Sequence, residues 1–287
     1  MLAQLAFNGV VTGLILALPA LALTIVFGIL KFPNFAIGAS LTMGAYLAWL
    51  FNALLGLPMI VASLLAVAGL GLVCIAGDGL VYRHLRDRGP ITLLVVSMGM
   101  SFVLENVCRF AFGNDARNFD ILVARPIRWH GLRINHEQVI TGATVVVTLI
   151  ALYVLLQHTR IGRAMRAVAD NAGLAAARGI ERSFIVRTTW FVAGAVTALA
   201  GVLIGLDRAI DPQLGWTYQV DVFAAAILGG LGSVFGAVVG ALLIGTVEEL
   251  SSLALPTNYR QAVAFGAILL LLLVRPHGLF GQPAIRK

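Results

Sequence analysis

Long apolar runs limit this chain more than any other feature, because they recur along its whole length and leave little room between them. Runs of about 18 or more apolar residues mark helical membrane spans, since in lipid each backbone polar group must be satisfied within its own segment. Such runs lie at roughly 4–30, 35–52, 58–76, 91–112, 138–157, 188–206 and 221–247, with a shorter one at roughly 261–274. At about 1.5 Å per residue the last is short for a span, so Tyr259 and Arg260 are expected at its interfacial end. Only 11% of the 287 residues are charged, against roughly 25% in soluble domains. The expectation is one all-α polytopic membrane domain over 1–287, built of about eight apolar segments.

The first run has no basic residue before Lys31, so it lacks the positive n-region of a secretory signal and is read as retained. Cys74 and Cys108 fall in or near different spans, which suits packing and not a disulfide or a metal site.

Charge then orients the spans. Lys and Arg concentrate in short cytosolic loops, and three regions carry them here: 77–90 with Arg83, Arg86 and Arg88; 158–187; and the tail with Arg275, Arg286 and Lys287. The acidic stretches around 207–221 (Asp207, Asp211, Asp221) and 248–260 (Glu248, Glu249) are placed outside. Alternation also puts 113–137 outside, where Pro126 and Trp129 suit a structured segment, although Arg117, Arg125, Arg128 and Arg133 lie there. This topology sets the amino terminus outside and the carboxy terminus in the cytosol. It also requires 221–247 to leave and return on one face, as a broken, re-entrant element.

Two apolar segments carry such interruptions. Asn34-Phe35-Ala36-Ile37-Gly38-Ala39-Ser40 opens the second, and Gly229, Gly230 and Gly232 cut the seventh. The long spans before them run in opposite directions, as in an inverted repeat. Unwound backbone is tolerated only where it lines a cavity or is buried in protein, so Asn34, Phe35, Gly38, Gly229, Gly230 and Gly232 are candidates for the translocation path. Close helix packing is the other reading of these glycines, and it suits Gly236, Gly240 and Gly245.

Little else in the chain carries chemistry. Glu105, the one acid well inside an apolar run, stands four residues before Arg109 and is expected to pair with it. His84, His130, His136, His158 and His277 lie outside the spans or at their edges, so no catalytic or metal constellation forms at membrane depth. A phosphate-cradling loop ends in Gly-Lys-Ser/Thr, whereas the two lysines here are Lys31, followed by Phe32, and the terminal Lys287. No cofactor is expected; ATP, if used, binds a partner subunit.

Energy would then enter through 158–187. Arg160, Arg163, Arg166, Arg178, Arg182 and Arg187 stand there against Asp170 and Glu181. The sequence predicts a helix to about Val168, then a short one over 171–178 capped by Asp170 and ended by Gly179 in the left-handed conformation. Ala172, Ala175, Ala176 and Ala177 give the second helix a smooth surface broken only by Leu174. Spacing alone fits either a docking helix or a solvated basic loop near anionic headgroups.

Four ordered motifs resemble those of the branched-chain amino-acid ABC permeases. Gly162-x-x-x-Arg166-Ala167, followed by Ala175-x-x-x-Gly179-Ile180, is similar to that family's cytosolic coupling loop. Asn34-Phe35-Ala36-x-Gly38 with Gly44-Ala45-Tyr46 resembles its first broken helix, and Ile227-Leu228-Gly229-Gly230-x-Gly232-Ser233-x-x-Gly236 its second. Arg275-Pro276-x-Gly278-Leu279-Phe280-Gly281 resembles its carboxy-terminal signature. The resemblance implies an inverted-repeat ABC importer permease in a bacterial inner membrane. Its partners would be a homologous second permease, two cytosolic ATPases and a periplasmic substrate-binding protein, with no nucleic acid. It assigns ATPase coupling to Arg163, Arg166, Ala167, Asp170, Ala175, Gly179 and Ile180. The cargo would be a branched-chain amino acid or a related small amphipathic solute such as urea, an amide or an aromatic acid. An ion-gradient-driven secondary amino-acid transporter is the alternative.

Overall fold

The computed structural model of the chain describes residues 2–120, 127–129, 132–253, 256, 259–275 and 278–281. Its helices are α1 (Leu2–Leu30), α2 (Ile37–Trp49), α3 (Met59–Gly77), α4 (Arg83–Leu85), α5 (Pro90–Phe112), α6 (His136–His158), α7 (Arg160–Asp170), α8 (Ala172–Ala177), α9 (Arg182–Asp207), α10 (Leu214–Gly229), α11 (Val234–Ser251) and α12 (Arg260–Val274). A π-helical turn at Leu50–Leu54 extends α2, and another at Asp78–Tyr82 joins α3 to α4. Among the described residues, seven helices are long and apolar enough to cross a membrane, and the apolar part of α12 is shorter. The expected run at 35–52 begins as helix only at Ile37, and the expected 221–247 run resolves into α10 and α11.

Helices apolar on every side must find either protein or lipid around them. α1 and α9 find protein: Leu16–Val26 and Ala198–Gly205 are buried almost without interruption, except Leu199. The outer helices α3, α5 and α6 expose Leu64 and Leu72, Val95 and Phe102, and Val147 and Ile150. Exposed apolar rows of this extent suit a lipid boundary. α1 packs mainly on α11, and α9 mainly on α3. The first contact is a small-residue seam, since a Cβ on Gly13 would lie 2.8 Å from the Ala241 carbonyl and one on Gly9 2.8 Å from Thr246 Cα. Gly240 abuts the Ala225 carbonyl and Gly245 abuts Gly13, so these glycines serve packing.

The connections sort onto two faces. On one, the Gln4 amide bonds both backbone groups of Arg133 at 2.9 Å, in a β1–β2 ribbon (Ile127–Trp129 and Leu132–Ile134). Asp120 N–H donates to Asn52 Oδ1 at 2.9 Å, and Arg117 bridges Ile210 on the same face. Pro126, Arg125 and His130 lie outside the described residues. On the other face sit α4, α7, α8 and the tail, whose Leu279 N–H donates to the Leu228 carbonyl at 2.9 Å. α10 and α11 therefore form a hairpin that starts and ends on the amino-terminal face.

Two expectations need correction. The region to Asp221 was expected to be loop, yet α10 starts seven residues earlier and Asp221 is buried within it. Hydropathy misses this turn because Gln219 and Asp221 are polar; tertiary partners bury them. Second, α7 runs through Asp170, and the cap of α8 is Asn171, whose Oδ1 accepts from Leu174 N–H at 3.0 Å. Asp170 already has helical backbone, whereas Asn171 is extended (φ −154°), the conformation a cap requires. Asn171→Ala is expected to loosen α8 by about 1 kcal/mol. Tryptic cleavage after Arg178 in the detergent-solubilised protein should then rise roughly fivefold, with Asp170→Ala unchanged.

Candidate functional site

After α1 the chain turns back into the protein. Lys31 takes φ 58°, and Phe32, Asn34 and Ala36 are buried on the way to α2. Asn34 Oδ1 accepts from Ala36 N–H at 3.0 Å, a local Asx turn, and Phe35 N–H donates to Ser97 Oγ at 3.0 Å. These bonds satisfy the buried backbone that would otherwise make an unwound segment costly.

The first turn of α2 then meets the first turn of α10. Gly38 N–H donates to Gln219 Oε1 at 3.0 Å, while Gly215 N–H donates to Thr42 Oγ1 at 2.7 Å. Each glycine is thus bonded by the residue four positions beyond its opposite number. A Cβ on Gly38 would strike the Gly215 carbonyl and Gln219, and a Cβ on Gly215 the Gly38 carbonyl and Thr42. The Gln219 amide also donates to the Phe35 carbonyl at 2.9 Å, and Phe35 stacks on Phe223 with centroids 4.5 Å apart. Gly38, Thr42, Gly215 and Gln219 are all buried. Two broken helices from opposite halves therefore abut at their amino ends, in a pseudo-twofold arrangement with reciprocal bonds.

Phe35 and Gly38 join this crossing, and Asn34 holds the turn just before it through Ala36; Gly229, Gly230 and Gly232 do not. They lie at the far end of α10, about 21 Å away at 1.5 Å per residue. The inverted counterpart of the 31–36 break is 208–213. Sequence reasoning missed Thr42, Gly215 and Gln219, although Ile37-Gly38-x-x-x-Thr42 and Leu214-Gly215-x-x-x-Gln219 share one pattern. Asn34 and Ser40 also line a cavity of about 550 Å³ with Cys74, Tyr82, Met100 and Trp190.

The glycines at the end of α10 and just beyond it have different jobs. Gly229 packs on Gly236, while Gly230 (φ 101°) and Gly232 (φ 95°) make the turn into α11. The tail closes over this turn: Leu279 and Phe280 N–H groups donate to the Leu228 and Gly229 carbonyls at 2.9 and 3.0 Å. Those carbonyls ending α10 would otherwise lack partners. A Cβ on Gly278 would lie 2.6 Å from the Ile227 carbonyl, and one on Gly230 would run into Gly281. Pro276 and His277 lie outside the described residues.

On the same face α7 and α8 form a platform. Thr159 Oγ1 accepts from Gly162 N–H at 3.1 Å to start α7, and the Arg166 guanidinium donates to the Leu156 carbonyl. α8 ends in a Schellman motif: Gly179 (φ 81°) N–H reaches the Ala176 carbonyl at 2.9 Å, and Ile180 N–H reaches that of Ala175 at 3.0 Å. Met165, Val168, Ala175 and Ile185 bury themselves with Ile25 and Leu156, and Ala167, Ile180 and Val234 pack around them. Ala167, Ala175 and Ile180 thus hold the platform in place. Arg163, Asp170, Gly179 and Leu174 are exposed on it, Leu174 to 60%. This small core touches α1, α6, α9 and the start of α11, so α7 and α8 are packed against both halves.

Comparison with known proteins matches residues 5–273 to the family model "Branched-chain amino acid transport system / permease component". The high-affinity branched-chain amino acid transport system permease protein LivH of Salmonella typhimurium is 34% identical, covering 99% of this chain and 97% of its own. LivH of Escherichia coli K12 is 32% identical with the same coverage. BraD of Pseudomonas aeruginosa is 30% identical over 98% of this chain and 96% of its own.

Proposed function

The chain belongs to the family of permease components of branched-chain amino acid transport systems, and on that footing we propose how its geometry moves a solute. It is the membrane-spanning subunit of an ATP-driven ABC importer for branched-chain amino acids. Its partners are a homologous permease, two cytosolic ATPases and a periplasmic substrate-binding protein, in a bacterial inner membrane. The face carrying α4, α7, α8 and Arg275 is cytosolic, because Arg83, Arg86, Arg88 and the six arginines from Arg160 to Arg187 cluster there. The amino terminus is outside.

The crossing of α2 and α10 carries this reading. Its seal consists of three hydrogen bonds, the Phe35–Phe223 contact and two glycines in close approach, so a shift of one half against the other opens it. The platform supplies that shift: ATPase closure pushes α8, and Met165, Val168 and Ile185 carry the motion to α1, α9 and α11. Leu174 and Arg178 make the contact on the ATPase side. Asn34 and Phe35 line the path at the seal, while Gly229, Gly230 and Gly232 shape its cytosolic margin. The secondary-transporter alternative is not favoured.

Leucine uptake into proteoliposomes holding permeases, ATPases and binding protein tests the assignment. Uptake should need ATP, and an ion gradient alone should drive none. Leu174→Glu should remove ATPase co-purification and cut uptake at least about tenfold, since a buried unpaired carboxylate costs several kcal/mol. Full co-purification and full uptake in that variant would overturn the platform's role.

A further inference from the structure

A second cavity, of about 360 Å³, opens on the outer face directly beside the start of α10. Its lining is Arg109, Asn114, Asp211, Pro212, Gln213 and Thr217. Cavities of this size fall within the roughly 300–1,000 Å³ range of small-molecule sites. Arg109 comes from the last turn of α5, and Asp211 from the α9–α10 link. The wall therefore joins elements of both halves.

Its charges are opposite and kept apart. No ion pair links Arg109 to Asp211 among the described residues. Arg109 Nη2 is held by Glu105 Oε1 at 2.6 Å, while its buried Nε finds no partner. Asp211 Oδ1 accepts from Gln213 N–H at 2.8 Å and forms no ion pair among the described residues. The nearby Arg117 is engaged elsewhere: it donates to the Phe112 carbonyl at 3.2 Å and lies over the Trp49 ring. A separated cation and anion in one cavity match a solute that carries both signs itself. Neither a simple amine nor a simple acid satisfies both walls.

The cavity also stands next to the seal. Gln213 and Thr217 flank Gly215, and Trp216 Nε1 donates to Glu105 Oε2 at 2.6 Å. Glu105 thus grips Arg109 with one oxygen and α10 with the other. A carboxylate arriving at Arg109 competes with Glu105, and Glu105 is what fixes Trp216 beside Gly215.

We propose that this cavity is the entry subsite for a zwitterionic α-amino acid, with Arg109 taking the carboxylate and Asp211 the ammonium group. The proposal rests on the importer reading and adds to it a site in this chain where both charges of the cargo are read. It predicts that the permease itself, and not only the binding protein, rejects solutes lacking one charge.

The test uses the whole complex in proteoliposomes, with saturating binding protein and labelled leucine. Asp211→Asn keeps the acceptor for Gln213 N–H and removes only the charge, so it should cut uptake about tenfold. Asp211→Glu should retain at least half of the wild-type rate. Equal rates for the two variants, both high or both low, overturn the subsite, because charge would then not be the determinant. With excess isocaproate or isoamylamine added beyond the binding protein's capacity, wild-type leucine uptake should stay within about twofold of its uninhibited rate; strong inhibition by either also overturns it. Absence of any ATP-driven leucine uptake by the wild-type complex would sink the importer reading itself, a separate result.

Discussion

Gly215→Val is expected to turn an ATP-driven accumulator into a leak. The new side chain would enter space held by the Gly38 carbonyl and by Thr42 Oγ1, which lies 2.7 Å from where its Cβ would sit. Overpacking of this kind costs about 1–3 kcal/mol, and parting the helices also loses the Gly215–Thr42 bond, worth about 0.5–1.5 kcal/mol. Together these shift a closed seal toward open by roughly tenfold to a thousandfold. Preloaded proteoliposomes should lose leucine without ATP, and ATP-driven accumulation should fall at least about tenfold. Gly142→Val is the matched control, since a Cβ there meets nothing within 4 Å. Normal accumulation and no leak in Gly215→Val would remove the seal from the mechanism.

The second large effect is expected at the cytosolic end of the same helix. Gly230 has φ 101° and ψ 109°, a region that costs other residues about 1–3 kcal/mol. A side chain there also collides with Gly281 and displaces the tail segment that caps α10. Gly230→Leu should therefore free the tail, unpair the Leu228 and Gly229 carbonyls and reduce uptake at least about tenfold. Deleting residues 278–287 should reproduce the loss with Gly230 intact, because both changes remove one clasp. Full uptake in either variant would reduce this clasp to a packing detail. Phe235, edge-on to Phe280 at 5.3 Å, offers a fluorescence or cross-linking position to follow tail release.

Some of this site was open to reading from sequence because it is local. Gly179 ends α8 as spacing predicted, since a left-handed turn after an alanine-rich helix needs only its own backbone. The Glu105–Arg109 pair formed for the same reason, four residues apart on one helix. Gln219 and Asp221 were misplaced because polarity argues for loop unless a partner buries it, and the partners are Phe35, Gly38 and α11, far along the chain. Asp170 was preferred to Asn171 as a cap because both residue types suit the role, and only the backbone angles separate them.

The sequence by itself determined most of the apolar spans, the two sets of loops and the glycine end of α8, since hydropathy, charge bias and a glycine's left-handed turn are properties of short stretches. Only the tertiary structure decided which glycines are turns, which are seams and which form the crossing of α2 and α10. Gly215 differs from Gly240 solely in what lies against it. That identity comes from non-local packing: the break at 31–36 pairs with 208–213 because α2 and α10 meet at their amino ends.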